Sequence, residues 1–311
     1  MSRTILLTGS TGQVGADLAR LLPGLGTVVA PDRRHLDLAN PESIRRTVRD
    51  VRPQLIVNAA AYTHVDRAES DQATAYAVNA QAPGLLAEEA SMIRAGLVHF
   101  STDYVFDGLK TAPYVESDTP NPINTYGRSK LAGEHAIQGS AVPYLILRTS
   151  WVYSPRGRNF LLTVLKLSAE QEELRIVSDQ IGAPTSSRAL AVATVQILGE
   201  IGRRGASKES FAGIGGIYHM TAGGQTSWHG FAQAILQEHA GASQEIPWIA
   251  AATSGRPRRT RSVTAISTGE YPTPARRPAY SVLSNARLHD VFGVHLPDWR
   301  TQLRDVFQCP L

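Results

Sequence analysis

The chain has 311 residues, 42% hydrophobic and 19% charged, enough to bury about two domains' worth of core, which excludes a disordered or fibrous chain. No run approaches the ~20 consecutive apolar residues that span a bilayer, and the opening MSRTILLTGS lacks the apolar stretch of a signal peptide, so a cytoplasmic location is expected. The charge is +4, from 31 basic and 27 acidic residues, with only four lysines, and the pI is about 9.3. A basic pI raises nucleic-acid binding, but the charges are mixed along the chain instead of gathered in a stripe, and none is expected.

The first half alternates short apolar runs with amphipathic stretches, the pattern of βαβ units around a parallel sheet. Thr4 to Thr8 reads as strand one, followed by a helix from about Gly12 to Leu22 and by strand two at Thr27 to Ala30. Asn40 as N-cap and Pro41 in the first turn start a helix that runs to Val51. Leu55 to Val57 is strand three, a long helix covers Ala73 to Ala95, and Leu97 to Phe100 is strand four. A helix from Tyr126 to Ile137 leads to strand five at Tyr144 to Leu147. The runs are too continuous for strands with one wet face, so helices are expected on both sides. Past residue 150 the alternation loosens and glycine-rich segments, Gly202 to Gly216 and Gly223-Gly224, interrupt it. The expectation is a Rossmann-type, doubly wound α/β domain over residues 1–150. Residues 151–311 form a smaller C-terminal substrate-binding lobe, with some segments returning to the first domain.

Gly9-Ser10-Thr11-Gly12-Gln13-Val14-Gly15 follows strand one and opens a helix, in the spacing G-x-x-G-x-x-G. Glycines there let the backbone turn and approach a pyrophosphate, whose charge meets the free N–H groups of the helix. Asp32, past strand two, suits the adenosine ribose, whereas Arg33 and Arg34 suit a 2′-phosphate, so both NADPH and NADH are expected. Tyr126-Gly127-Arg128-Ser129-Lys130 puts a phenol and an ammonium on one helix face, where the cation is expected to favour phenolate. Ser101-Thr102-Asp103-Tyr104 and Asn58-Ala59-Ala60-Ala61-Tyr62-Thr63 leave strands four and three at the carboxyl edge, where such sheets bind ligands.

Through GSTGQVG (9–15), VNAAAYTHVDRAES (57–70), STDYVFDG (101–108), YGRSKLAGE (126–134), LRTSWVY (147–153), DQIGAPTS (179–186), GGQTSWHGFA (223–232) and YPTPARRP (271–278), the chain resembles the extended short-chain dehydrogenase/reductase family, within its nucleotide-sugar reductases. The resemblance spans nearly the whole chain and implies Thr102, Tyr126 and Lys130 as a catalytic triad. It implies cofactor contacts at Gly12, Gln13 and Val14 for the phosphates, Asp32 for the ribose, Asp37 and Leu38 for adenine, and Ala61, Tyr62 and Thr63 for the nicotinamide side. Thr102, Asp103, Tyr126 and Trp151 would meet the sugar nucleotide, and Arg276 and Arg277 are candidates for its diphosphate. The implied activity is NAD(P)H-dependent reduction of the C4 ketone of dTDP-4-dehydro-L-rhamnose to dTDP-L-rhamnose.

Alternatives stay open: another nucleotide-sugar reductase or epimerase, or a non-catalytic regulatory relative, although Thr102, Tyr126 and Lys130 together speak against lost catalysis. The nine histidines show no metal-ligand spacing, and Cys309, the only cysteine, excludes an intrachain disulfide or thiolate zinc cluster. Some relatives hold magnesium through carboxylates at a dimer contact; Arg188, after Ser186-Ser187, speaks against that here, and monomer and homodimer both remain open. Burial alone would make Trp151 a core residue, and Trp228-His229 is read as starting and packing a helix. Ser254 to Ser262, with Arg256, Arg258, Arg259 and Arg261, reads as an exposed loop.

Overall fold

The computed structural model describes residues 3–203, 213–242 and 246–308. Cys309, Lys208 and residues 204–212 of the glycine-rich segment lie outside them. The first half runs β1 (Thr4–Thr8), α1 (Gln13–Leu21), β2 (Thr27–Val29), α2 (Pro41–Val51), β3 (Leu55–Asn58), α3 (Val65–Ala68), α4 (Gln72–Tyr76), α5 (Ala82–Met92), β4 (Gly96–Thr102), α6 (Thr125–Gln138) and β5 (Tyr144–Thr149). Asn40 caps α2 as expected, its side chain accepting from the Glu42 and Ser43 amides. The long helix expected over Ala73 to Ala95 is present, helical backbone running without a gap from Gln72 to Met92, with a π turn at Ala77–Gln81 between α4 and α5. Period-3.6 patterning does not report such a turn, which widens one turn of an otherwise α-helical stretch.

After residue 150 come β6 (Val152–Tyr153), α7 (Phe160–Glu170), β7 (Glu173–Val177), β8 (Ile181–Gly182), β9 (Thr185–Ser186), α8 (Ser187–Arg203), β10 (Gly216–His219), β11 (Thr226–Ser227), α9 (Trp228–Gly241), α10 (Pro247–Thr253), β12 (Ser262–Ile266), α11 (Ala286–Phe292) and α12 (Trp299–Gln308). Six parallel strands form the main sheet, in the order β10-β5-β4-β3-β1-β2. Alternate residues of each strand serve opposite faces. Ile5 and Leu7 of β1 pack with Leu18 and Leu22 by α1 and with Leu190 and Ile197 of α8. Leu6 of the same strand packs with Ile44 and Val48 of α2 and Leu86 of α5. Both faces are therefore dry, and α8 and β10, from beyond residue 150, complete the first sheet.

A separate apolar cluster gathers Leu161 and Val164 of α7, Phe231 and Ile235 of α9, Trp248 of α10 and Trp299 of α12. Small paired strands frame it, β12 parallel with β7 and β11 antiparallel with β8. The arginine-rich stretch is exposed apart from Thr260, as expected, but it is tied down. The amides of Arg259 and Thr260 donate to the Ser168 carbonyl near the end of α7, that of Arg261 to the Glu172 carbonyl, and Ser262 already belongs to β12. Strand order reverses between β1 and β3, so the crevice where these sheets take ligands lies beyond the carboxyl ends of β1, β3 and β4.

Candidate active site

Gly9 adopts φ +70, and a β-carbon there would lie 2.7 Å from the Ala60 backbone; one on Gly15 would overlap the Gly9 carbonyl oxygen. The exits of β1 and β3 thus touch only because the residues are small. Gly12 is the N-cap of α1 and offers no side chain to it. The first-turn amides of Gln13, Val14 and Gly15 are left facing outward, a donor set that fits a dinucleotide pyrophosphate. The Gln13 carboxamide oxygen is engaged elsewhere, accepting from Ser154 Oγ at 3.0 Å and Asn159 Nδ2 at 2.8 Å, which ties the phosphate loop to the head of α7.

Beyond β2, Asp32 accepts from Arg34 Nε at 3.1 Å and Nη2 at 2.9 Å and lies 2.7 Å from His35 Nδ1. Those hydrogen bonds hold its carboxyl well below the usual carboxylate range. Asp37 and Leu38 close the same loop, Asp37 Oδ1 accepting from the Ala39 amide and Leu38 being buried. Ala61 and Tyr62 are half-buried and Thr63 is exposed on the loop after β3. Asn79, in the π turn, clamps that loop: it accepts from the Tyr62 amide at 2.9 Å and donates to the Tyr62 carbonyl and to Ser129 Oγ, both at 3.0 Å. Nothing in the sequence pattern singled out Asn79, one of two amides, with Gln81, in the turn Ala77–Gln81.

Thr102 ends β4, donating to Asp103 Oδ1 at 3.0 Å and accepting from the Tyr104 amide at 3.2 Å. Asp103 is buried, and burial pushes its carboxyl up to about 7, against neighbouring hydrogen bonds that lower it. Tyr126 opens α6, whose N-cap Asn124 accepts from the Gly127 amide, while Glu69 accepts from both the Thr125 amide and hydroxyl. Burial pushes the Tyr126 phenol up to about 12, Thr102 opposing and Asp103 adding to the shift. The expected lowering by Lys130 is thus corrected. Lys130 Nζ is turned to the Phe100 carbonyl at 2.7 Å and His99 Nε2 at 3.2 Å, and burial lowers its own pKa to about 8, with Glu134 opposing.

Trp151, at φ +47, lies flat against Trp228, centroids 3.5 Å apart and planes within 5°, with Gly182 against its indole; a β-carbon on Gly182 would come within 2.5 Å of that ring. Trp228 does start α9, as read, but its ring pairs with a candidate ligand residue. Arg277 is spent on Asp66, Nη1 to Oδ1 and Nη2 to Oδ2 both at 2.7 Å, fastening the late segment beside α6. Arg276 is exposed, and its carbonyl accepts from Asn124 Nδ2 at 2.8 Å. Of the two arginines, Arg276 has the guanidinium left free to meet an anion.

Among the described residues no group of three His, Cys, Asp or Glu side chains is placed to hold a metal ion. Asp17 lines a groove of about 750 Å³ with Arg188, where it already meets Arg156 at 3.4 Å and Ser187 Oγ at 2.5 Å. No helix of the described residues is long and apolar enough to cross a membrane.

A doubly wound parallel sheet with a glycine-lined phosphate loop beside a threonine, a tyrosine and a lysine defines a nicotinamide-dependent oxidoreductase of the short-chain dehydrogenase/reductase type. Residues 3–309 match the family described as RmlD substrate binding domain. The dTDP-4-dehydrorhamnose reductase of Burkholderia thailandensis is 49% identical over 298 residues, 95% of each chain, and that of Escherichia coli K12 is 41% identical over 304 residues, 96% of this chain and 95% of the other. The crystal structure of the Bacillus anthracis dTDP-4-dehydrorhamnose reductase in complex with NADP matches with a TM-score of 0.85 at 33% identity, over 99% of each chain. The chain belongs to the RmlD family of dTDP-4-dehydrorhamnose reductases.

Proposed function

We infer that this protein reduces the C4 ketone of dTDP-4-dehydro-L-rhamnose to the hydroxyl of dTDP-L-rhamnose with NAD(P)H. The observation that carries this is a chain-long match to reductases of that name in a chain that keeps Thr102, Tyr126 and Lys130 at the carboxyl edge of its sheet. The cofactor would be held by the Gly9, Gly12, Gln13, Val14 and Gly15 loop, by Asp32, Asp37 and Leu38, and by Ala61, Tyr62, Thr63, Tyr126 and Lys130. When bound, the nicotinamide supplies the hydride that the ketone accepts.

Tyr126 keeps its proton at neutral pH, because burial holds the phenol near 12, and so can give it to the oxygen that becomes a hydroxyl. Thr102 holds that oxygen by a hydrogen bond. Thr102, Asp103, Trp151 and Arg276 bind the sugar nucleotide, Arg276 toward its diphosphate. Arg277 acts by fastening the segment that carries Arg276. Residues 1–150 with α8 and β10 make the cofactor part, and the rest of 151–311 makes the sugar lobe.

Both NADPH and NADH serve, because Asp32 suits a ribose diol while Arg33 and Arg34 stand beside it for a 2′-phosphate; a preference beyond about a thousandfold in kcat/KM would refute dual use. The reaction is tested by loss of NADPH absorbance with the dTDP-4-keto sugar made in place by a dehydratase and an epimerase. Absence of turnover alongside normal cofactor binding would overturn it.

A further inference from the structure

Lys130 is buried, 1% exposed, on a chain of side chains that leads away from the crevice. Asn58, at the end of β3, receives two hydrogen bonds on its Oδ1: from the Ala60 amide at 3.3 Å and from Thr8 Oγ1 at 2.6 Å. A backbone N–H can only donate, so the oxygen of the Asn58 amide must face Ala60. Its Nδ2 then faces His99 Nδ1, 3.0 Å away, as a donor. Turning the amide over would set Nδ2 against the Ala60 N–H.

An imidazole that accepts at Nδ1 and is neutral carries its hydrogen on Nε2. His99 is fully buried, and burial, the largest cause, holds its pKa well below the ordinary histidine range, so it is neutral whether Lys130 is charged or not. Its Nε2–H therefore points at Lys130 Nζ, 3.2 Å away, while Lys130 Nζ itself donates to the Phe100 carbonyl at 2.7 Å. An ammonium has three N–H groups and no lone pair; it would meet this N–H donor to donor. A neutral amine has one lone pair and accepts it.

We propose that His99 is a positioning residue for Lys130: locked by Asn58 as the Nε2–H tautomer, it turns an N–H toward the lysine nitrogen, favours the neutral amine over the ammonium, and so brings the lysine's proton exchange down toward neutral pH. The remaining ionisable groups leave this intact. Glu134, four residues along α6, favours the ammonium, but Arg148 of β5 holds its carboxylate through bonds of 2.9 and 2.6 Å. On α6 the phenol of Tyr126 keeps its proton, and Asp103 lies past the end of β4 with one oxygen turned to Thr102. Protonating Lys130 thus costs the hydrogen bond from His99, which places the lysine's change of charge close to neutral pH. The catalytic meaning rests on Lys130 belonging to the reductase triad; the tautomer does not.

The test uses the full chain labelled with nitrogen-15 histidine and carbon-13 lysine, the latter made tractable by four lysines. Nitrogen shifts of His99 are expected to show a protonated Nε2 and a bare Nδ1 throughout about pH 6–9. The Lys130 Cε resonance is expected to titrate near 8, well below an ordinary lysine. In Asn58→Asp a carboxylate oxygen faces Nδ1 and can only accept a hydrogen bond from it, so the tautomer should switch to Nδ1–H, leaving Nε2 an acceptor for Lys130, and the Lys130 midpoint rise by at least about one pH unit. Finding Nδ1–H in the unaltered protein, a Lys130 midpoint above about 10, or an unswitched tautomer in Asn58→Asp would overturn the proposal. A locked tautomer in a chain without reductase turnover would refute the functional reading and leave this one standing.

Discussion

Removing the charge of Glu134 is expected to damage the fold far more than removing its ion pair altogether. The Glu134 and Arg148 side chains are 0% and 2% exposed, and two parallel bonds join them between α6 and β5. Arg148 has no substitute partner: its Nη1 is already unpaired, and its guanidinium sits 5.1 Å from the centre of the Phe106 ring. Glu134→Gln keeps the shape and one acceptor but strands a desolvated cation, so a loss of about 3 kcal/mol is expected, and Glu134→Leu should cost ~5 kcal/mol. Glu134→Leu with Arg148→Met buries no charge and should return to within ~1 kcal/mol of the unaltered protein, or exceed it. Urea unfolding at neutral pH, with the slope m unchanged between variants, measures each corner of the cycle. Single variants within ~1 kcal/mol of the parent, or a double variant as unstable as the sum of the singles, would refute this reasoning. Because Glu134 favours the charged form of Lys130, Glu134→Gln should also lower the lysine's midpoint below about 8.

Tyr126→Phe removes only the proton donor, so turnover should fall ~10²–10⁴-fold while the cofactor dissociation constant stays within about twofold, as read by single-turnover absorbance and a binding titration. Asn79→Leu leaves the Tyr62 amide and carbonyl and Ser129 without their partner, which should cost ~2–4 kcal/mol in urea unfolding and weaken cofactor binding; no change in either would show that the clamp is idle. Asp103 has its carboxyl raised from 3.8 to about 7, so the folded state binds its proton more tightly than the unfolded chain. Its stabilising contribution is therefore complete below about pH 4 and lost as pH rises through about 7, and Asp103→Asn should flatten stability against pH in that window.

The sheet was legible because its strands are short apolar runs, each followed by a helix with a readable start. Asn40 before Pro41 and the G-x-x-G-x-x-G turn locate two of those starts within a residue. The site was legible where chemistry is local in sequence: Tyr126 and Lys130 share a helix face, and Thr102 ends a strand. Other features depend on contacts between distant segments. Asp66 meets Arg277 across 211 positions, Gln13 meets Asn159 across 146, and Asn79 reaches Ser129 across 50. None of these pairs has a spacing that any helix or strand period would mark. The Tyr126 pKa was misjudged for a related reason: proximity on a helix was visible, but the burial that dominates the phenol, and the Phe100 carbonyl that turns Lys130 aside, belong to the tertiary structure.

The basic residues are unevenly divided, with arginine in place of lysine nearly everywhere. Arginine holds a carboxylate with two bonds at once in Arg148 on Glu134, both buried, in Arg277 on the partly exposed Asp66, and in the largely exposed Arg49 on the buried Glu89. A guanidinium does not lose its proton in a protein, so the cationic half of each pair persists. An ammonium shifts readily when buried. Among the described lysines, Lys110 and Lys166 are wholly or partly in contact with solvent, and Lys130 alone is buried. Among the described residues, the interior position that holds a lysine is the one where Asn58 and His99 present a donor. Lys130→Arg would keep a cation there and still fail, because a guanidinium has no lone pair to take the His99 hydrogen. The expected outcome is a folded protein with collapsed turnover at every pH, and appreciable turnover in that variant would show that the charge of Lys130, and not its proton exchange, is what the site requires.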